Sequence, residues 1–186
     1  MDRGEFLAGL GALSVAALPP RPVDLCSHNE VLPYNRALEL KMRVLDGPDF
    51  VLSTYAGYVV WMNIFATRCP PCQKEQAFVV KASIDRYDRG LRVIGIDYAE
   101  TDDTVRAYRK KYDIPYPIAM DQQGGFSYAL ESKDKLVFPA HIFITSSGYL
   151  DCYVIGSMSD DEITRKLEAL LAAPTPSPMP TSAPLQ

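Results

Sequence analysis

The apolar positions of this chain change period several times, and each change marks an element. Residues 58–65 (YVVWMNIF) form a nearly continuous apolar run rich in β-branched and aromatic side chains. A run of this kind predicts a central strand covered on both faces. Residues 91–98 (LRVIGIDY) read as a second buried strand. Between them, Pro70 to Asp88 predicts a helix, with Ala77, Val80, Ile84 and Tyr87 spaced to fall on one stripe. Thr101 to Tyr112 predicts an amphipathic helix with Val105, Tyr108 and Tyr112 on one face.

The flanks complete the pattern. Lys41 to Leu45 and Phe50 to Ser53 surround the turn signal Asp46-Gly47-Pro48 and predict a β-hairpin. Pro117 to Met120 predicts a short strand, and Phe126 to Ser132 a short helix. His141 to Thr145 and Tyr149 to Ile155 predict a second hairpin across Ser147-Gly148. A final helix starts at Ser159, where Ser159 and Glu162 have capping-box spacing, and Ile163, Leu167, Leu170 and Leu171 supply its apolar face. Strands alternating with helices, followed by a hairpin and a closing helix, predict an α/β layered sheet.

The ends read differently. Residues 6–18 (FLAGLGALSVAAL) are uncharged but shorter than the roughly 20 apolar residues that span a bilayer. They fit the apolar core of an export signal or membrane anchor, with Val15-Ala16-Ala17 as a small-residue cleavage site. Asp2-Arg3-Gly4-Glu5-Phe6-Leu7 resembles a twin-arginine motif that lacks its second arginine. Pro19, Pro20 and Pro22 then break any helix. Residues 174–186 (PTPSPMPTSAPLQ) cannot bury enough apolar surface to fold and predict a disordered tail. The expected organisation is an export segment over 1–20, an irregular lead-in over 21–37, one folded domain over 38–172 and a tail over 173–186.

Composition narrows the function classes. A net charge of −4, from 19 basic and 23 acidic residues, gives no electrostatic footprint for nucleic acid. Two histidines and four cysteines leave little room for a multi-metal enzyme. A core of this size needs no disulfide scaffold, so the cysteines are read one by one.

Cys69-Pro70-Pro71-Cys72 falls where the central strand gives way to a helix. Two cysteines at this spacing can close a disulfide across the first helical turn. A helix N-terminus carries partial positive charge and free N–H groups, and both favour a thiolate. Prolines in the first turn cost little there, because their missing N–H groups had no partner. Cys69 precedes the helix and is read as the exposed, attacking thiol; Cys72, one turn in, is read as the resolving thiol. Arg68 either adds a cation that favours the Cys69 thiolate or is a solvated loop charge. The competing readings of the motif are half a zinc site and an inert disulfide. Zinc needs four ligands, and no second Cys or His pair is present, His28 and His141 being isolated. Glu75, three residues after Cys72, shares its helix face and either exchanges a proton with the resolving thiol or only complements the helix dipole. Cys152 reads as a small buried hydrophobe, and pairing with Cys26 is open but unforced.

Residues 59–72 (VVWMNIFATRCPPC) resemble the active-site segment of thioredoxin-like proteins, and more closely the exported TlpA/ResA/CcmG group, also called the DsbE group. The resemblance covers about Leu38 to Leu171. It implies a thioredoxin-like fold: a central mixed sheet flanked by helices, with an N-terminal β-hairpin and an inserted strand–helix segment. It implies that Cys69 and Cys72 are the redox pair, and that Asn63 stands where cytoplasmic thioredoxins bury an aspartate. It assigns Glu75 to the acidic residue used near the active site. It matches Pro139, in Phe138-Pro139-Ala140, to a cis-proline that faces the disulfide and leaves backbone free to pair with a bound peptide. Three positions depart from the group's pattern: Arg68 replaces the usual tryptophan, Ala77 the usual kinking proline, and Ala140-His141 the usual Thr-Thr.

The resemblance further implies an exported thiol–disulfide oxidoreductase with no cofactor beyond its redox disulfide, facing the periplasm. Its partners are expected to be proteins with disulfides and a membrane thiol donor, with apocytochrome c maturation as one expected setting; the chain itself is expected to be a monomer. Two other readings stay open. A copper chaperone on the same fold would use Cys69, Cys72 and His141, since thiolates suit Cu(I). A peroxiredoxin-like peroxidase needs a threonine and peroxidatic-cysteine spacing that Thr67-Arg68-Cys69 does not provide.

Overall fold

A computed structural model describes residues 40–126 and 137–173. Seven strands and three helices follow in order: β1 (Lys41–Met42), β2 (Phe50–Val51), β3 (Val59–Phe65), α1 (Pro70–Asp85), β4 (Leu91–Tyr98), α2 (Asp102–Lys111), β5 (Ile118–Asp121), β6 (Ala140–Ile144), β7 (Leu150–Ile155) and α3 (Asp160–Ala172). The main sheet has the order β5-β4-β3-β6-β7. Strands β3, β4 and β5 are parallel, while β6 and β7 run antiparallel to their neighbours. The sheet is therefore mixed, as expected.

Every residue of β3 is buried. Its odd-numbered side chains, Val59, Trp61 and Phe65, join a core shared with α1, α2 and α3. Its even-numbered ones, Val60, Met62 and Ile64, join a second core that includes Met42, Val44 and Phe50 from the leading hairpin. The missing polar alternation in the sequence is thus the signature of a strand covered twice. Full burial of each large apolar side chain contributes about 1.5–3 kcal/mol, so β3 is the sheet's anchor. Gly95 on β4 makes this possible locally: a Cβ there would lie 3.1 Å from the Phe65 ring and 3.3 Å from the Tyr116 ring.

The leading hairpin is shorter than expected, with two residues per strand. Residues beyond it serve other roles. Val44 bridges to Ala119 on β5, and Leu52–Tyr55 forms a 3-10 turn. The final helix matches its reading: Ser159 is the N-cap, and its capping box with Glu162 is complete. The expected helix over Phe126 to Ser132 lies largely outside the described residues. So do the export segment, Cys26, His28, the lead-in up to residue 39 and the tail from residue 174.

The stripe expected on α1 is corrected. Ile84 is 60% exposed and Tyr87 56%, and Ala77 is exposed as well. The buried face carries Cys72, Glu75, Gln76, Val79, Ala82 and Ser83. The apolar periodicity misled because half of that inward face is polar, and each polar group there has a reason to be buried. Gln76 Nε2 donates to the Tyr116 hydroxyl at 2.6 Å, and the Tyr108 hydroxyl donates to Gln76 Oε1 at 3.3 Å. Ser83 Oγ donates to the Val80 carbonyl. Hydrogen-bonded in this way, Gln76 and Ser83 avoid the cost of unsatisfied burial.

Candidate active site

Cys69 and Cys72 are joined in a disulfide, with their Cα atoms 5.3 Å apart. Cys69 is the N-cap of α1, in extended backbone (φ −81°, ψ 112°), and Pro70 and Pro71 occupy the first two helical positions. Those prolines have no N–H. The first N–H of the helix therefore belongs to Cys72, and it donates to Cys69 Sγ at 3.2 Å. The next, from Gln73, goes to the Cys69 carbonyl at 3.1 Å. The Cys-Pro-Pro-Cys sequence thus leaves the first turn with one N–H, aimed at the sulfur that the helix dipole also favours as a thiolate. Cys69 is half-buried and Cys72 is 3% exposed, the asymmetry expected of an attacking and a resolving thiol.

Glu75, three residues after Cys72, and His141 are both buried. Glu75 Oε1 accepts from the Met158 N–H at 3.1 Å, and Glu75 Oε2 stands 3.4 Å from His141 Nε2. Asn63 and His141 are register partners on β3 and β6. Trp61 Nε1–H donates to His141 Nδ1 at 3.3 Å, and Asn63 Nδ2 lies 3.4 Å from the same atom. With Nδ1 acting as the acceptor, the proton of a neutral imidazole sits on Nε2, toward Glu75. Sequence reasoning found Glu75 and Asn63 but missed Trp61, and it read His141 as isolated. His141 is packed, at 0% exposure, and it also faces the buried carboxylate.

Arg68 is exposed, and its Nη1 donates to Glu100 Oε1 at 3.0 Å. Its charge is therefore shared with a carboxylate and does not face Cys69 alone. Glu100 Oε2 accepts from the Thr67 N–H at 2.5 Å, and Oε1 accepts from the Thr67 hydroxyl at 2.9 Å. The Thr67 carbonyl accepts from Gln73 Nε2 at 2.7 Å, tying the same loop to α1. Asp97, fully buried at the end of β4, accepts from the Glu100 N–H at 3.2 Å. Sequence reasoning missed Asp97 and Glu100. One signal could have found them: they lie at and just beyond the C-terminal end of a strand parallel to the one that delivers Cys69, which is where α/β sheets build their sites.

The Phe138–Pro139 peptide bond is cis, as the resemblance implied. Pro139 is buried and its carbonyl accepts from the Gly156 N–H at 2.8 Å, while the Phe138 ring packs at 5.0 Å from that of Tyr98. Cys152 is corrected: it is buried on β7 but is disulfide-bonded, not a free thiol acting as a hydrophobe. Among the described residues, no three His, Cys, Asp or Glu side chains are grouped to hold a metal ion, and Cys69, Cys72 and His141 do not form such a group. No helix among them is long and apolar enough to cross a membrane.

Comparison with known proteins gives the same picture. The Redoxin family profile matches residues 33–171. The thiol-disulfide oxidoreductase ResA of Bacillus thuringiensis subsp. konkukian is 27% identical over 132 residues, covering 71% of this chain and 72% of that protein. The thioredoxin-like protein YneN of Bacillus subtilis is 26% identical over 137 residues, covering 72% and 77%. A solved thiol:disulfide interchange protein of the thioredoxin family from Chlorobium tepidum superposes with a TM-score of 0.65 at 26% identity, covering 74% of this chain and 97% of that one. The secreted disulfide oxidoreductase of Mycobacterium tuberculosis described as homologous to E. coli DsbE, at 19% identity and a TM-score of 0.61, covers 71% and 96% and shares the fold. A helix-capping redox disulfide on a mixed thioredoxin-like sheet, matched along three quarters of its length, places the chain in the Redoxin family as a thiol–disulfide oxidoreductase of the ResA type.

Proposed function

We propose that this protein is exported and reduces disulfides in protein partners through the Cys69–Cys72 pair. The observation that carries the reading is the single first-turn N–H, from Cys72, directed at Cys69 Sγ. In the reduced protein the Cys69 thiolate attacks one sulfur of the partner's disulfide. That S–S bond breaks, one partner sulfur leaves as a thiolate, and a Cys69–partner mixed disulfide forms. The Cys72 thiol gives its proton to the Glu75 carboxylate, and its thiolate attacks Cys69 Sγ. The second partner sulfur leaves and takes up the proton. Two electrons have passed to the partner, and the Cys69–Cys72 disulfide is restored.

Burial supports Glu75 in this role. A carboxylate at 7% exposure, three residues from Cys72 on the same inward face, is a base with little water to compete for the proton. Phe138 and cis-Pro139 are the proposed edge for a partner strand. Export agrees with the leading apolar segment and with relatives described as secreted or as an exposed lipoprotein. A reductant in an oxidising compartment needs a membrane thiol donor to recharge it, and apocytochrome c is the partner class that the ResA likeness favours.

The test is insulin reduction followed by turbidity. Wild type is expected to be active, Cys72→Ser to accumulate a mixed disulfide visible by mass, and Cys69→Ser to be inactive; activity in Cys69→Ser overturns the reading. The direction of electron flow follows from the reduction potential. A value near that of DsbA, about −120 mV, would make the protein an oxidant instead.

A further inference from the structure

Arg68 directly precedes the proposed attacking thiol in the chain, and its guanidinium pairs with Glu100, just beyond the end of the neighbouring strand. Asp97 is the register partner of Phe65, four residues before Cys69. Ala99, between the two acids, adopts φ +56°, a left-handed conformation that costs a non-glycine residue about 1–2 kcal/mol. Its N–H donates to the Asp121 carbonyl at 3.1 Å. The strained step turns the Glu100 N–H back onto Asp97 Oδ2 and leaves the Glu100 carboxylate with the Thr67 N–H, the Thr67 hydroxyl and Arg68. The remaining Asp97 oxygen, Oδ1, is buried with no hydrogen-bond partner among the described residues. An ionised carboxylate is costly there, beside a second carboxylate; a proton held by Asp97 removes the cost.

We propose that Asp97 and Glu100 are positioning residues for Cys69, in which Glu100 clamps Thr67 and Arg68 before the thiol and Asp97 stores one proton whose release is coupled to the redox state of the Cys69–Cys72 pair. The proposal rests on the reading of Cys69 as the attacking thiol. Its physical basis is reciprocity. When Cys69 becomes a thiolate, a negative charge appears at the end of the loop that Glu100 holds, and Asp97 keeps its proton more tightly. When the disulfide closes, that charge vanishes and the proton is released more easily. Burial, followed by the hydrogen bond and charge of Glu100, pushes Asp97 up to about 8, within reach of working pH. Burial pulls Glu100 upward too, but the Thr67 N–H, Asp97, the Thr67 hydroxyl and Arg68 outweigh it and hold Glu100 below its ordinary value. The other described groups facing the pair are Arg68 from the loop and Tyr108 from α2, whose phenol the Glu100 charge helps to raise. On β5, Asp121 accepts from the Phe126 N–H.

The test is the equilibrium constant of the full-length protein with dithiothreitol, measured from about pH 6 to 10 in wild type and Asp97→Asn. Asparagine keeps the acceptor for the Glu100 N–H but cannot release a proton in this range. A merely structural role gives a ratio of the two constants that does not change with pH. Coupling makes the ratio change across the Asp97 titration, by about threefold for each half unit of coupled pKa. Arg68→Ala, at an exposed position, is the second variant. Without the nearby cation the wild-type bend is expected to move to higher pH. A constant ratio for Asp97→Asn overturns the proposal, as does an unmoved bend in Arg68→Ala should Asp97→Asn not fold. Thiol trapping and peptide mapping confine the readout to Cys69–Cys72 and leave the disulfide of Cys152 out of it. No partner protein takes part, so the measurement stands apart from the insulin test: loss of insulin reduction would sink the proposed function and leave this result intact.

Discussion

His141 Nε2 faces Glu75 Oε2 at 3.4 Å in the interior, and neither atom has a hydrogen-bond partner within the described residues. The imidazole is held from its other side by Trp61, so it cannot turn away without leaving the indole N–H unpaired. A buried carboxylate three residues from Cys72 thus faces a buried imidazole from β6.

The first prediction concerns the resolving step. Glu75→Gln keeps the shape and the acceptor for the Met158 N–H, but it removes the base. We expect mixed-disulfide resolution to slow by about 100-fold or more, with the first attack by Cys69 little changed. Rapid-quench mass spectrometry separates the two steps. Equal slowing of both would place Glu75 outside the proton path.

His141→Ala removes the acceptor of the Trp61 Nε1–H and the imidazole that faces Glu75 Oε2 in one change, and leaves a cavity. The oxidised protein is expected to lose about 3 kcal/mol, read from the midpoint of urea unfolding. A loss below about 0.5 kcal/mol would mean that the dyad is not coupled in solution.

Stability should depend on pH through Asp97. Folding moves this carboxyl from its ordinary 3.8 up to about 8, burial being the main cause. Between those values the folded chain holds a proton that the unfolded chain has lost. The stabilisation is therefore complete below 3.8, declines as pH rises, and is gone above about 8. Wild type should lose stability over this window with a slope of at most about 1.4 kcal/mol per pH unit, and Asp97→Asn should lack that slope. Denaturant midpoints for both proteins, followed from about pH 5 to 9, check it; parallel curves would contradict it.

Gly95→Ala tests the packing of the central strands. The added methyl would meet the Phe65 and Tyr116 rings at 3.1 and 3.3 Å, so one ring must shift. A cost of about 1–3 kcal/mol is expected. Calorimetric unfolding measures it, and an unchanged Tm would show that the rings yield freely.

The alternation of strands and helices along the chain, the strand doubly covered at residues 59–65, the capping box at Ser159 and the pairing of Cys69 with Cys72 were all legible in the sequence. They depend on local rules: period, capping chemistry and the spacing of Cys69 and Cys72. The face of α1 was not legible. Its stripe of Ala77, Val80, Ile84 and Tyr87 is the stronger apolar pattern, yet the inward face is the one holding Glu75, Gln76 and Ser83. Hydrogen-bonding partners for Glu75 and Gln76 come from Met158, Tyr108 and Tyr116, which no window of sequence around α1 contains.

The sequence by itself therefore determined which two cysteines pair at the start of α1, because the disulfide and the helix terminus lie within four consecutive positions. The tertiary structure alone decided what surrounds them. His141 reaches Glu75, and Glu100 reaches Thr67 and Arg68, only because β6 and β4 flank β3 in the sheet. Electrostatic partners act through space, and the distances that set their strength arise from strand order and register, which the local pattern of residues does not encode.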